Sequence, residues 1–295
     1  MSLPDTTQQD TARFSWLPPT GPLGPIPLGL LVSLIVLTAA AWSLTVYLAV
    51  SMRMPMGVAV RGGMGADGMA GMAMAGMTGS VWSLGGVVTF VAVWTVMMAA
   101  MMLPAAAPMI FMFAAAQARR DRKTAVPTWI FVAGYLVVWA AAGALVYILV
   151  QAGSELATSL APVERARWAP LALGSTLAAA GLYQFTPLKR VCLIHCRSPF
   201  AFVAQHWRDG RTGALTMGLR HGAYCLGCCW ALFAVLVAAG AMSLAWMLLV
   251  TLVVFVEKVL PHGPRAGIAI GVAFLALGLV VAGGAVQMPW VVTSQ

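Results

Sequence analysis

The stretch WSLGGVVTFVAVWTVMMAAMMLPAAAPMIFMFAAA, residues 82–116, carries no charged side chain from end to end. About 20 apolar residues suffice for one helical crossing of a bilayer, so this run exceeds a single straight span. Pro104 and Pro108 predict a kink or break, with 82–103 as the membrane part and 105–118 as an extension. Six further apolar runs surround it, at 28–50, 128–151, 168–187, 214–239, 242–260 and 266–287. The only punctuation between 214–239 and 242–260 lies around Gly240, which predicts a tight hairpin. The expected fold is all-α, a polytopic transmembrane helix bundle of about seven spans.

Composition agrees with that reading. Of 295 residues, 61% are hydrophobic and 8% charged, and the mean hydropathy is +0.90. A soluble domain carries about 25% charged residues to cover its surface. A soluble enzyme, a nucleic-acid binder and a disordered chain are therefore excluded. Thirty glycines and seventeen prolines suit helices that are kinked and closely packed in lipid.

The net charge of +9 is distributed as membrane topology rather than as a nucleic-acid footprint. With a cytoplasmic N-terminus, the inner side holds Arg13, Arg119, Arg120, Arg122, Lys123, Lys189, Arg190, Arg197, Arg208, Arg211, Lys258 and Arg265. The outer side holds only Arg53, Arg61, Arg165 and Arg167. The positive-inside rule then favours a membrane topology with the N-terminus inside and the C-terminus outside. Residues 1–27 are polar and then proline-rich, unlike a secretory signal, and read as a flexible lead-in. The remaining organisation is a first span at 28–50, an outer loop at 51–80, a bundle at 81–287 and a tail at 288–295.

Three features could carry chemistry, and all involve sulfur. The loop 51–80 contains Met52, Met54, Met56, Met64, Met69, Met72, Met74 and Met77 among glycines and alanines. Thioether sulfur is a soft, neutral ligand for Cu(I), so this loop could capture copper outside the cell; otherwise it is low-complexity sequence. In the second span, Met97 with Met101 and Met98 with Met102 lie four residues apart, so each pair shares a helix face. Such a ladder could pass a soft cation along the bilayer normal. Methionine packing beside a proline-distorted helix gives the same pattern.

The third feature is the cysteine and histidine set. All five cysteines fall between 192 and 229, as Cys192-Leu193-Ile194-His195-Cys196 and His221-Gly222-Ala223-Tyr224-Cys225-Leu226-Gly227-Cys228-Cys229. His221, Cys225 and Cys228 lie within about 60° of one another on a helix, and Met217 extends that stripe one turn back. Cys192 and Cys196 are one turn apart on an inner loop or short helix. Thiolate with imidazole is a ligand set for Zn, Cu(I) or an iron–sulfur centre. Ordinary buried cysteines, a disulfide framework, or Cys-x-x-Cys redox chemistry would use the same residues.

Other polar residues are fewer. Glu257 sits at membrane depth, where an ionisable group is a functional candidate, or pairs locally with Lys258. His206 and His262 fall in inner loops. Gly218 and Gly222 make a small-residue step that admits a neighbouring helix. No nucleotide loop, serine-type triad or carboxylate pair is evident.

Several blocks together resemble a known family. They are Met97–Pro104 with Pro108-Met109, then Tyr183–Lys189 leading to Cys192 and Cys196-Arg197-Ser198-Pro199, and Gly218–Gly222 with Cys225–Trp230 and Glu257-Lys258. Over residues 82–287 the chain is similar to a bacterial family of predicted metal-binding integral membrane proteins, a domain of unknown function. That resemblance implies a polytopic, metal-binding membrane protein and no agreed activity. The residues favour handling of copper, with zinc as the second candidate ion. Delivery would be by transport or to a cuproenzyme, beside partner membrane subunits. A membrane metalloenzyme, a thiol/quinone oxidoreductase or a structural subunit are the alternatives.

Overall fold

In hydrocarbon every backbone N–H and C=O must be satisfied within its own segment, so long charge-free runs become helices. The computed structural model describes residues 28–51, 84–119, 126–159, 162–240 and 244–283. Among the described residues the secondary structure is entirely helical. In chain order the helices are α1 (Leu28–Ser51), α2 (Leu84–Ala118), α3 (Thr128–Ser159), α4 (Pro162–Tyr183) and α5 (Pro187–Arg197). They continue with α6 (Pro199–His206), α7 (Gly210–Gly240), α8 (Leu244–Val259) and α9 (Gly263–Ala282). The lead-in 1–27, the methionine-rich loop beyond Ser51 and the tail 288–295 lie outside the described residues.

Among the described residues, five helices are long and apolar enough to cross a membrane: Leu28–Val50, Leu84–Ala118, Thr128–Gly153, Gly210–Ala239 and Gly263–Ala282. Two expected spans differ. The segment expected at 168–187 is divided: α4 ends at Tyr183, and its apolar stretch, Pro170–Tyr183, is shorter than a crossing. Helix α8, within the expected 242–260, has 16 residues. Of the kink or break expected at Pro104 and Pro108, the break does not occur, because α2 runs through both prolines. Tertiary packing overrides the local cost. Met97–Leu103, Ala105, Ala106, Met109, Ile110 and Phe113 are all buried, so neighbouring helices hold the segment on both sides of the prolines.

Helix α4 packs most extensively on α9, and α3 on α7. Both contacts depend on missing side chains. A Cβ on Gly174 would come within 2.7 Å of the Gly278 carbonyl oxygen, and one on Gly181 within 2.7 Å of that of Gly271. The Gly218 and Gly222 step admits α3: a Cβ at Gly218 would lie 3.1 Å from the Tyr135 nitrogen. Outer faces carry large exposed apolar side chains, among them Ile35, Tyr47, Leu149, Val272 and Leu279. In water such faces would be a standing aggregation liability.

Candidate metal centre

Helix α5 begins where Thr186 takes an extended conformation and its hydroxyl accepts from the Lys189 backbone N–H at 3.3 Å, with Pro187 in the first turn. Such a cap fixes the start of the helix. With that start, Cys192 and Cys196, one turn apart, face α7. The Cys192 sulfur abuts Gly227, where a Cβ would lie 2.7 Å away. The Cys196 and Cys228 sulfurs are 3.9 Å apart. The Tyr183 hydroxyl donates to the Gly227 carbonyl, which ties the end of α4 to the same turn. Burial raises the Cys192 thiol above its ordinary value, and Cys228 adds in the same direction.

The stripe expected on α7 is its buried face: Met217, His221, Cys225 and Cys228 are at most 2% exposed, and Cys229 is buried with them. All five cysteines are unbridged. The Cys228 and Cys229 thiols donate to the Cys225 carbonyl at 3.1 and 2.7 Å. The Cys225 sulfur instead meets two groups from other helices. Lys258 of α8 donates to it at 2.9 Å, and the Tyr135 hydroxyl of α3 lies 3.1 Å away. A buried ammonium is tolerated only opposite an acceptor, and here that acceptor is sulfur.

Of the two readings of Glu257, local pairing with Lys258 is not what forms. Adjacent positions on a helix point in different directions, so Lys258 turns to Cys225 while Glu257 meets Lys189 of α5 at 2.7 Å. Lys189 also donates to the Gln184 side chain. Arg197 closes this end of the bundle by donating to the carbonyl of Glu257, one of the last-turn carbonyls a helix end leaves unpaired, and to those of Leu260 and Pro261 just beyond it.

His221 is 2% exposed. Its ring lies 5.9, 5.5 and 5.6 Å, between centroids, from Phe131, Tyr135 and Phe202. Neither ring nitrogen has a hydrogen-bond partner. An unpartnered buried polar group is costly, which makes His221 a candidate functional position. His195 is half-buried and stacked on Tyr224 at 4.2 Å. Met97, Met98, Met101 and Met102 are at most 2% exposed and belong to the same apolar core as the cysteines. Their helix packs against α1, α3, α6 and α8.

Among the described residues, no three His, Cys, Asp or Glu side chains converge as a metal-binding group. The sulfur partners explain this, since Cys225 is held by Lys258 and Tyr135 and two other thiols by a backbone carbonyl. Sequence reasoning missed Lys258, Tyr135 and Lys189 as members of this pocket. The legible signal was two lysines beside or within otherwise apolar segments, each near a cysteine in sequence or across a predicted hairpin.

A family described as a copper chaperone, PpoB2, matches residues 91–281. No curated protein and no solved structure matches the chain. The family's description names copper and not zinc. The matched region takes in all five cysteines, the four methionines of the α2 ladder, His221 and Lys258. The chain belongs to this copper chaperone family.

Proposed function

We propose that the protein is a membrane-embedded Cu(I) chaperone that receives the ion through thioethers and holds it at the cysteine pocket before delivery to a cuproenzyme. The chain lies in a bacterial inner membrane, N-terminus inside and C-terminus outside. Helices α4 and α8 join the five long helices to make about seven crossings, the bilayer thinning locally to match their shorter apolar stretches. The methionine-rich segment 51–80 collects the ion, and Met97, Met98, Met101 and Met102 carry it without fixed charge. Neutral donors avoid the cost of burying charges in lipid, and the Cys/His set binds more tightly as the terminal site.

One observation carries the reading. Sulfurs from α5 and α7 gather in a buried pocket where a cation, the Lys258 ammonium, is already held against sulfur. The pocket accommodates positive charge beside soft donors, and the adjoining His221 offers ring nitrogens with no other partner. Cu(I) titration of the detergent-solubilised protein tests this. A Cys225→Ser/Cys228→Ser variant should lose more than about 100-fold in affinity, beyond the effect of removing outer-shell partners. Unchanged stoichiometry and affinity would remove the cysteines from the site.

The 3.9 Å approach of Cys196 and Cys228 favours one second reading, thiol oxidation. There the two thiols would become a disulfide, and two electrons and two protons would pass to a membrane quinone. Thiol counting beside metal analysis separates the readings: bound copper with five reduced thiols supports the chaperone.

A further inference from the structure

Helices α5 and α6 meet at Ser198, and each carries a histidine at its C-terminal end: His195 in the last turn of α5 and His206 as the last residue of α6. Each ring folds back on its own helix. The His195 Nδ1 donates to the Val191 carbonyl at 2.9 Å, and the His206 Nδ1 donates to the Phe202 carbonyl at 3.1 Å. A carbonyl oxygen can only accept, so Nδ1 of each ring carries a hydrogen, and the neutral form of the ring is the Nδ1–H tautomer. The lone pair is then on Nε2, the nitrogen directed away from the helix. Fixing the tautomer through a backbone carbonyl is how proteins prepare imidazole as a metal ligand.

The two rings are also neighbours. Their centroids are 6.2 Å apart with planes inclined at 67°. With metal–nitrogen bonds of about 2.0–2.1 Å, rings at this separation can share one ion held nearly linearly between them. Near-linear two-coordination is a geometry Cu(I) accepts and Zn(II) does not. The rings are clamped from behind: Tyr224 lies flat on His195, inclined by 6°, and Phe202 stacks on His206 at 4.8 Å. Both histidines are half-buried and so reachable from outside the bundle.

The pair leads inward. Phe202 touches both His206 and His221, and Tyr224 precedes Cys225 in the chain. His221, buried with both ring nitrogens unpartnered, touches Phe202 and also Tyr135, whose hydroxyl meets the Cys225 sulfur. We propose that His195 and His206 form a second, two-coordinate Cu(I) site at the α5–α6 end of the bundle, through which the ion exchanges with the buried pocket by way of His221. This inference rests on the copper-handling reading above. It gives His195 a partner other than the cysteines and gives His206 a role.

The test uses the full chain in detergent, titrated with Cu(I) against a chromophoric Cu(I) chelator. Wild type should hold a tight and a weaker class of ion. Cys225→Ser/Cys228→Ser should lose the tight class alone. His195→Ala and His206→Ala should each weaken the second class at least about tenfold and leave the tight class intact. X-ray absorption on the copper-loaded cysteine variant should show two nitrogen neighbours with imidazole scattering. A protection assay on unmutated protein covers the case in which a variant does not fold: Cu(I) should shield His195 and His206 from diethylpyrocarbonate, read by peptide mass spectrometry. Unchanged second-class affinity in folded histidine variants, absence of nitrogen neighbours, or no protection would each overturn the site. A wild type with no tight class would instead overturn the chaperone reading.

Discussion

Two sulfur-rich regions share one core and solve the same burial problem differently. On α2, Met97, Met98, Met101 and Met102 sit among Ala99, Ala100 and Leu103, all buried. Thioethers have little need of polar partners, and these stand in an apolar setting. On α7, Cys225 is buried just as deeply, yet Lys258 and Tyr135 converge on its sulfur, while Lys189 is held nearby by Glu257. The contrast teaches what each region can do. A path needs donors that cost nothing to leave, whereas a holding site needs a pocket that balances charge.

The largest effect that could break the contrast comes from Lys258→Met. Removing the charged donor of a buried hydrogen bond costs about 1.5–3 kcal/mol, because its acceptor is left unsatisfied. The metal-free variant should therefore unfold well below wild type in a thermal melt in detergent. Cu(I) brings its own positive charge to the sulfurs, so loading should narrow the gap. If variant and wild type melt together with and without copper, the cysteine region needs no counter-charge and does not differ from the methionine region.

A smaller effect tests whether the α7 pocket depends on how closely α3 approaches. A Cβ at Gly218 would meet the Phe131 carbonyl and lie 3.1 Å from the Tyr135 nitrogen. Both are backbone atoms, which cannot swing aside. Gly218→Ala should destabilise the protein by about 1–3 kcal/mol through overpacking. It should also weaken Cu(I) binding by less than Cys225→Ser/Cys228→Ser does, since it displaces Tyr135 and touches no donor. Equal losses in the two variants would show that helix spacing, rather than sulfur, sets affinity.

Much of this architecture can be read from spacing. The charge-free runs give the long helices, the 100° step gives the buried stripe from Met217 to Cys228, and Gly218 with Gly222 announces a close neighbour. Where reading stops, the cause is long-range geometry. Nothing near Glu257 indicates that its partner is Lys189, 68 positions away, or that Lys258 turns the opposite way to meet Cys225. The prolines of α2 leave kink and break equally open in sequence, because local strain is visible there while the packing that keeps the helix continuous is not. His206 reads as an isolated loop histidine until α6 forms and carries it to His195.

The smallest structural effect sharpens the comparison most. Met97→Leu with Met101→Leu keeps volume and apolar character but removes two sulfur lone pairs. Volume-conserving swaps in a core usually cost less than about 1.5 kcal/mol, so thermal stability should stay close to wild type. The cysteine pocket is untouched, and equilibrium affinity for its ion should be unchanged. Only the rate should respond. In proteoliposomes supplied with Cu(I) from the side of the methionine loop, filling of the cysteine pocket, followed by stopped-flow thiolate–copper absorbance, should slow. A normal rate would mean that these methionines pack and do not conduct. A slowed rate at constant affinity and stability would separate a path from a binding site, because a packing defect alone would lower stability as well.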